Sequence, residues 1–183
     1  GVPPERIFFV PHFVDNDWFA SEAARARCRR ATIRSGWGVS ERDLVALFVG
    51  KLIPEKRPMD LLRAAARAAA GGPHAQGEQG CGPGLQGIGS PGGGLVLVYV
   101  GSGQLEGELR RFAAEAHVRA HFVGFKNQSE LPSCYAAADV LVLPSESETW
   151  GLVVNEAMAC GIPAIVSEGV GCSRDLIEEG RPG

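Results

Sequence analysis

Two glutamates of this sequence have the residue type and position to bind a ligand. Glu148 just precedes a predicted helix over residues 151–160, and Glu156 is one of only two polar residues within it. A carboxylate on an otherwise apolar, buried helix requires hydrogen-bond partners, and Glu156 could accept paired hydrogen bonds from a ribose diol. Glu148 would lie beside the first backbone N–H groups of a helix, which have no acceptor within the helix itself. Those groups could bind a phosphate or a sugar, and they belong to Trp150, Gly151 and Leu152.

The same residues also allow a purely structural interpretation. Glu146 and Glu148 could do no more than complement the dipole of the helix that follows them. Glu156 could pair with an arginine from elsewhere in the chain, as a buried carboxylate must find some partner. The residues by themselves leave both interpretations open.

Two lysines follow the apolar run Leu44–Val49. Lys51 stands at the end of this predicted strand, and Lys56 stands at the start of the next predicted helix. A cation at a helix start opposes the helix dipole. Its presence makes sense if an anion binds there, and two lysines converging on one crevice would neutralise a diphosphate. A solvated basic turn is the competing interpretation, and the residues do not exclude it.

Glycines follow the second long apolar run, Leu95–Val100. Gly101 and Gly103 would allow a ligand to approach the backbone closely. Their spacing differs from the G-x-G-x-x-G pattern of dinucleotide-binding proteins, and no acidic residue ends the next predicted strand to bind a ribose. The sequence therefore argues against a nicotinamide cofactor.

The elements that must position these residues alternate between strand and helix. This alternation predicts an α/β fold with a Rossmann-like, three-layer parallel sheet covered by helices on both faces. Several apolar runs are continuous, as expected for strands buried on both sides. The predicted strands cover residues 7–10, 44–49, 95–100, 121–123, 140–143 and 164–166. The predicted helices cover residues 21–35, 58–70, 105–116, 129–138, 151–160 and 173–179.

Length and composition favour a single domain over residues 1–183, of which 45% are hydrophobic. Glycine and proline dominate residues 71–94, which we interpret as a flexible surface insertion. The chain starts on a strand-like segment and ends on an unfinished turn. It is therefore expected to be a piece of a longer protein, truncated at both ends.

Charge and cysteine content restrict the partners. The formal net charge is −3 with no basic block, which argues against binding nucleic acid. The five cysteines are scattered and the four histidines lack ligand spacing, so we expect no metal and a reduced, cytoplasmic protein. No apolar run approaches the length of about 20 residues that spans a bilayer.

The segment from Glu148 to Glu156 closely resembles the hallmark of the family-4 (group 1) retaining glycosyltransferases. In that family two glutamates with seven residues between them enclose an aromatic-Gly pair, here Trp150-Gly151. The resemblance continues, in chain order, through most of the sequence outside the glycine-rich segment. The further similar segments are residues 50–56, 101–103, 135–139 and 157–166.

The resemblance implies the C-terminal, donor-binding domain of the two-Rossmann-domain (GT-B) fold. It implies that Lys51 and Lys56 hold the donor diphosphate, that Glu148 contacts the donor sugar and that Glu156 binds the nucleotide ribose. The remaining implied contacts lie along the base, sugar and phosphates, at Gly101, Gly103, Phe125, Lys126, Trp150, Gly151 and Leu152.

The implied reaction transfers a sugar, with retention, from a UDP- or GDP-type nucleotide sugar without a metal or other cofactor. The acceptor, a glycan, lipid or small molecule, would bind an N-terminal domain that this chain lacks, so the chain alone should be inactive. Position 51 carries lysine where the family more often has arginine, which loses the two-pronged grip of a guanidinium. Residues 11–13 differ from the family's usual Asn-Gly pair, and no site residue is assigned there.

Two other functions remain open at this stage. One is a sugar-nucleotide epimerase or phosphorylase of the same architecture, and the other is a nucleotide-sugar-binding module without activity. The first would not be expected to combine the spacing of Glu148 and Glu156 with the turn carrying Lys51 and Lys56. The binding module would differ from a glycosyltransferase only in lacking turnover.

Overall fold

The continuous apolar runs form the centre of one parallel sheet. The computed structural model describes residues 2–6, 8, 12–69 and 93–177. Within them the sheet has five strands in the order β3-β2-β1-β4-β5, and each neighbouring pair is parallel. The predicted parallel α/β fold is thereby confirmed. In chain order the strands are β1 (Leu44–Val49), β2 (Leu95–Val100), β3 (Ala120–Gly124), β4 (Val140–Leu143) and β5 (Ala164–Val166).

Helices cover both faces of this sheet. Alternate residues of β1 and β2 point to opposite faces and belong to two separate hydrophobic clusters. The helices are α1 (Asn16–Arg27), α2 (Arg30–Gly36), α3 (Pro58–Ala69), α4 (Glu106–Glu115), α5 (Leu131–Ala137), α6 (Leu152–Ala159) and α7 (Ser173–Leu176), with single 3-10 turns at Pro4–Arg6 and Pro54–Lys56. One cluster packs β1 and β2 against α1, α5 and α6, and the other packs them against α3 and α4.

The first predicted helix is wrong in its start and in its continuity. Residues 21–35 were expected to form one helix, whereas the structure has α1 and α2 with a break at Cys28 and Arg29. The chain enters α1 earlier because Asp15 caps it, its Oδ1 accepting a hydrogen bond of 2.9 Å from the backbone N–H of Trp18. The helix expected from Ser129 begins only at Leu131.

Three sequence expectations fall on residues that the structure does not describe. Of the predicted strand over residues 7–10, only Phe8 is described. Of the predicted glycine-rich insertion over residues 71–94, only Gly93 and Gly94 are described. Gly94 is tied to the start of β1, because its carbonyl accepts from the N–H of Leu44 at 3.0 Å. The predicted end of the last helix, beyond residue 177, also lies outside.

A buried arginine fixes the amino ends of β1 and β4. The side chain of Arg34 on α2 is only 1% exposed. Its guanidinium donates to the Ala137 carbonyl at 2.8 Å, the Asp43 carbonyl at 3.0 Å and Oδ2 of Asp139 at 2.6 Å. The same Asp139 oxygen accepts from the N–H of Val45 at 2.7 Å. Because a buried charge must be paired, these contacts lock the edge of the sheet opposite the carboxyl ends.

Glycines let the loops after β1 and β2 pack backbone against backbone. Gly101 has a φ of +137°, and a Cβ atom there would lie 1.9 Å from the carbonyl oxygen of Gly50. A Cβ atom on Gly103 would lie 2.4 Å from the carbonyl oxygen of Leu52. The N–H of Leu52 donates to the Ser102 carbonyl at 3.0 Å in the same interface. The glycines therefore have a packing requirement within the chain, and their packing orients the turn that carries the lysines.

None of the helices in the described part of the chain is both long enough and apolar enough to cross a membrane.

Substituting Gly101 with alanine should destabilise the fold by about 2–4 kcal/mol, because the new methyl group would collide with backbone in a conformation that alanine rarely adopts. Gly107→Ala is the matched control, since nothing lies within 4 Å of a Cβ atom there and the residue is in α4. That substitution should leave stability unchanged or raise it by up to about 1 kcal/mol. Urea unfolding of both variants measures the difference, and equal stability would contradict this packing.

Candidate functional site

A cavity of about 310 Å³ opens at the carboxyl ends of β1 and β4. Ligands of open parallel sheets bind at this edge, because the loops that follow the strands meet there. One wall comes from the end of β1 and the turn after it, and the other from the loop after β4 and the start of α6. Its lining residues are His12, Val49, Gly50, Lys56, Glu148, Thr149, Trp150, Gly151, Leu152 and Val153.

An ion pair crosses the cavity from one wall to the other. The ammonium group of Lys56 contacts Oε2 of Glu148, with 20% and 22% of the two side chains exposed. Lys56 ends the 3-10 turn Pro54–Lys56 that follows β1. The preceding Glu55 is held in place because its carbonyl accepts from the N–H of Glu146 at 2.9 Å. The two loops are therefore joined by backbone as well as by charge.

The loop after β5 clamps the backbone of Glu148. The Glu148 N–H donates to the Gly169 carbonyl at 3.0 Å, and its carbonyl accepts from the N–H of Gly171 at 2.9 Å. Cβ atoms on these two glycines would each lie 2.1 Å from a backbone carbonyl oxygen, of Glu146 and of Thr149 respectively. Only glycine permits such an approach, so the position of the carboxylate depends on residues that sequence analysis did not single out.

The amino end of α6 forms the floor beside the ion pair. Gly151 precedes this helix with a φ of +93°, and a Cβ atom there would lie 2.8 Å from a side-chain carbon of Val170. Trp150 is almost buried, and its indole N–H donates to Oδ1 of Asn155 at 2.9 Å. The first N–H groups of a helix carry a partial positive charge. The cavity thus combines a cation, a carboxylate and a helix dipole.

Glu156 lies one helical turn further along α6, outside the cavity lining. It is 8% exposed, and the hydroxyl of Tyr135 donates to its Oε2 at 2.6 Å. Burial raises the pKa of the Glu156 carboxyl, and the hydrogen bond from Tyr135 offsets part of the rise. In the described part of the chain, its side-chain partner is this tyrosine and no arginine pairs with it.

Among the described residues, no three histidine, cysteine, aspartate or glutamate side chains are grouped so that they could hold a metal ion.

Residues 29–183 match the family described as glycosyl transferases group 1. The chain belongs to this family. It is 36% identical over 188 residues to a D-inositol 3-phosphate glycosyltransferase of Geodermatophilus obscurus, covering 100% of the chain and 37% of that protein. A protein of the same name from Mycobacterium tuberculosis is 34% identical over 175 residues, covering 91% of the chain and 30% of that protein. The chain thus matches only 30–37% of the length of these relatives.

Solved structures of glycosyltransferases share the fold. The chain superposes on Anabaena HepE, crystallised with UDP and glucose, with a TM-score of 0.64, 22% identity, and coverage of 91% of this chain and 39% of that one. For WaaG, a glycosyltransferase involved in lipopolysaccharide biosynthesis, the TM-score is 0.67 at 22% identity, covering 94% and 40%. The sequence resemblance to group 1 glycosyltransferases is confirmed.

The cavity of this group 1 chain contains five of the predicted site residues and leaves the others outside its lining. Those inside are Lys56, Glu148, Trp150, Gly151 and Leu152. The others follow strand ends at the same edge or lie along α6. Phe125 is 75% exposed, Lys126 pairs with Glu130 at 3.0 Å, and Lys51 is exposed. The residues outside the lining are Lys51, Gly101, Gly103, Phe125, Lys126 and Glu156.

His12 is a cavity residue that sequence analysis did not find. Its ring centroid lies 5.4 Å from that of Trp150. Its position is set by two residues that closely follow it in the chain. Val14 packs against the core, and Asp15 caps α1. The signal that could have found it is this aspartate, an N-cap residue type that fixes where the preceding residues lie.

The raised pKa of Glu156 predicts that Glu156→Gln stabilises the protein at neutral pH, by about 0.5–2 kcal/mol. The unfolded carboxyl ionises near its ordinary pKa of about 4.3, whereas the folded one resists ionisation. The free-energy cost of ionising Glu156 in the folded wild type is therefore absent below the pKa of the unfolded carboxyl. It is complete above the pKa of the folded carboxyl. Urea unfolding between about pH 4 and pH 8 should show the gain growing as pH rises.

Glu115→Gln serves as the control for this comparison, because its carboxylate is 68% exposed on α4. It should show no comparable pH-dependent gain. A Glu156→Gln variant that is less stable than the wild type at every pH would show that the carboxylate stabilises the fold.

Proposed function

We propose that this chain is the donor-binding part of an enzyme that transfers a sugar from a nucleotide sugar to an acceptor. The observation that carries the proposal is the single cavity that combines Lys56, Glu148 and the amino end of α6. A positioned cation and a helix start are the groups needed to stabilise a departing diphosphate. The proposal includes retention of anomeric configuration and catalysis without a metal, and names no protein nucleophile.

The diphosphate is proposed to bind between Lys56 and the first turn of α6. Lys51, at the same sheet edge, would approach the phosphates from the solvent side. Glu148 would accept hydrogen bonds from the sugar hydroxyls. A cavity of about 310 Å³ is at the small end of ligand pockets, which suits the sugar and its phosphate while the nucleoside extends along the edge.

The nucleoside is proposed to extend towards Glu156 and the loop after β3. A ribose diol would share the Glu156 carboxylate, which explains why a destabilising buried charge is retained. Neighbouring strands lie about 4.8 Å apart, and β2 alone separates β1 from β3. The loop with Phe125 and Lys126 is therefore roughly 10 Å from the end of β1, within reach of the base.

A UDP-type donor is the first to test, because the similar HepE structure contains UDP and glucose. Relatives with 34–36% identity are named D-inositol 3-phosphate glycosyltransferase, which makes a small phosphorylated polyol the first acceptor to test. A glycan or lipid acceptor is the alternative. Since the chain spans 37% of the first of these relatives, the acceptor site is proposed to lie in the rest of the enzyme.

Calorimetric titration with UDP-, GDP- and ADP-glucose tests the donor site. One nucleotide sugar should bind the wild type. The Lys51→Ala/Lys56→Ala pair should lose about 3–6 kcal/mol of binding energy if each lysine contributes a charge-assisted bond, and Glu156→Ala should also weaken binding. The cation control is Arg63→Ala, which removes a 60% exposed guanidinium paired with Asp60 on α3.

Three outcomes would contradict the proposal: no nucleotide sugar binds, the site variants bind as the wild type does, or Arg63→Ala weakens binding equally. Adding EDTA should not change the affinity if no metal contributes to binding. Donor binding without turnover by the full-length enzyme would instead favour an inactive binding module.

A further inference from the structure

The contact between Lys56 and Glu148 has a consequence for which ligands the cavity prefers. The ammonium group that is proposed to hold the diphosphate is the same group that pairs with the carboxylate. A diphosphate that binds Lys56 therefore competes with Glu148 for one cation. It also brings further negative charge next to a carboxylate with 22% of its side chain exposed, where screening by solvent is incomplete.

The backbone leaves Glu148 little room to withdraw from an arriving anion. Its N–H and carbonyl are bonded to Gly169 and Gly171, at 3.0 and 2.9 Å. The opposite wall is tied to the same loop through the Glu146 N–H and the Glu55 carbonyl. Side-chain rotation can break the ion pair, but the carboxylate stays at the cavity wall. Compensation for the lost pairing beyond what the solvent supplies must then come from the ligand.

An intact nucleotide sugar can supply that compensation, and the nucleoside diphosphate product cannot. The sugar hydroxyls can donate hydrogen bonds to the freed carboxylate, which are stronger than bonds between neutral groups. A nucleoside diphosphate lacks the transferred sugar. The carboxylate then faces phosphate charge and receives no hydrogen bond from the hydroxyls of that sugar.

We propose that the Lys56–Glu148 ion pair makes the cavity select the intact nucleotide sugar over the nucleoside diphosphate product. Glu148 is then a specificity-determining residue that promotes product release as well as contacting the sugar. The inference rests on the proposed donor-binding function.

The test is calorimetric titration of the wild type, Glu148→Gln and Glu146→Gln with UDP and with UDP-glucose. Glu148→Gln should bind UDP more tightly than the wild type does, on the order of 3- to 10-fold for one partly exposed charge interaction. Its affinity for UDP-glucose should stay the same or fall, so the ratio of the two affinities shifts towards the product.

Glu146→Gln is a matched control because it removes the same charge from the same loop. Glu146 is 68% exposed, lies 3.4 Å from the guanidinium of Arg57 and does not line the cavity. This variant should keep the wild-type ratio. Thermal unfolding checks that each variant is folded, and Glu148→Ala, with the same expectation, replaces the glutamine variant if that one fails to fold.

The proposal is overturned if the wild type binds both ligands and removal of the Glu148 carboxylate leaves UDP affinity unchanged or lowers it. It is also overturned if Glu148→Gln binds both ligands more tightly by the same factor. The same holds if Glu146→Gln shifts the ratio of the two affinities as Glu148→Gln does. A wild type that binds neither ligand, nor any other nucleotide sugar, contradicts the donor-binding function itself.

Discussion

The site depends on the parallel pairing of β1 with β4. Lys56 and Glu148 are far apart in the chain, and each follows the carboxyl end of one of these two strands. The register aligns Ala46 with Val140 and Leu47 with Leu141, so both strands end at the same edge. Without this pairing the cation and the carboxylate would belong to unrelated surface turns.

Ionic contacts at the amino ends support that pairing from the opposite edge. Asp139, which immediately precedes β4, is bonded to the start of β1 in both directions. Its N–H donates to the Val45 carbonyl at 3.0 Å, and its carboxylate accepts from the Val45 N–H at 2.7 Å. Arg34 completes the group from α2. The Arg34 side chain is buried, whereas 29% of the Asp139 side chain is exposed. Removing Asp139 would leave the buried guanidinium without its carboxylate, which is destabilising. The ionic contacts at the amino ends of the strands thus lie at the edge of the sheet opposite the cavity proposed to bind the donor.

The strands of the parallel sheet could be predicted because each one is marked by a local sequence pattern, whereas their order in the sheet was not predicted. Continuous apolar runs identify strands that are covered on both faces, and the described strands match those runs closely. The break between α1 and α2 could not be predicted in this way. A helix-compatible sequence runs through Cys28 and Arg29, and some of the partners that hold α2 in place, such as Ala137 and Asp139, lie more than a hundred residues away.

The candidate site could be predicted only in part, because its side-chain contacts join residues that are far apart in the sequence. The spacing of Glu148 and Glu156 indicated two carboxylates near a helix start, but no local pattern reveals that one pairs with Lys56 and the other with Tyr135. The purely structural interpretation is incomplete, and the ligand-binding interpretation stays a prediction. Glu148 is bonded to a cation across the cavity, and Glu156 is held by a phenol rather than an arginine.

The glycines show most clearly what cannot be predicted from the sequence. Gly101 and Gly103 were predicted to admit a ligand, and the structure uses them to admit the backbone of a neighbouring loop. Gly169 and Gly171 likewise allow close backbone packing around the loop of Glu148, although no sequence pattern marks them. Sequence identifies a glycine, but only the packing identifies what approaches it.

The most direct test of this account is a crystal structure of the chain with bound UDP. The account predicts diphosphate oxygens about 2.7–3.2 Å from the ammonium nitrogen of Lys56 and from the first N–H groups of α6, with the contact between Lys56 and Glu148 broken. A diphosphate bound away from this cavity, with the ion pair intact, would contradict it.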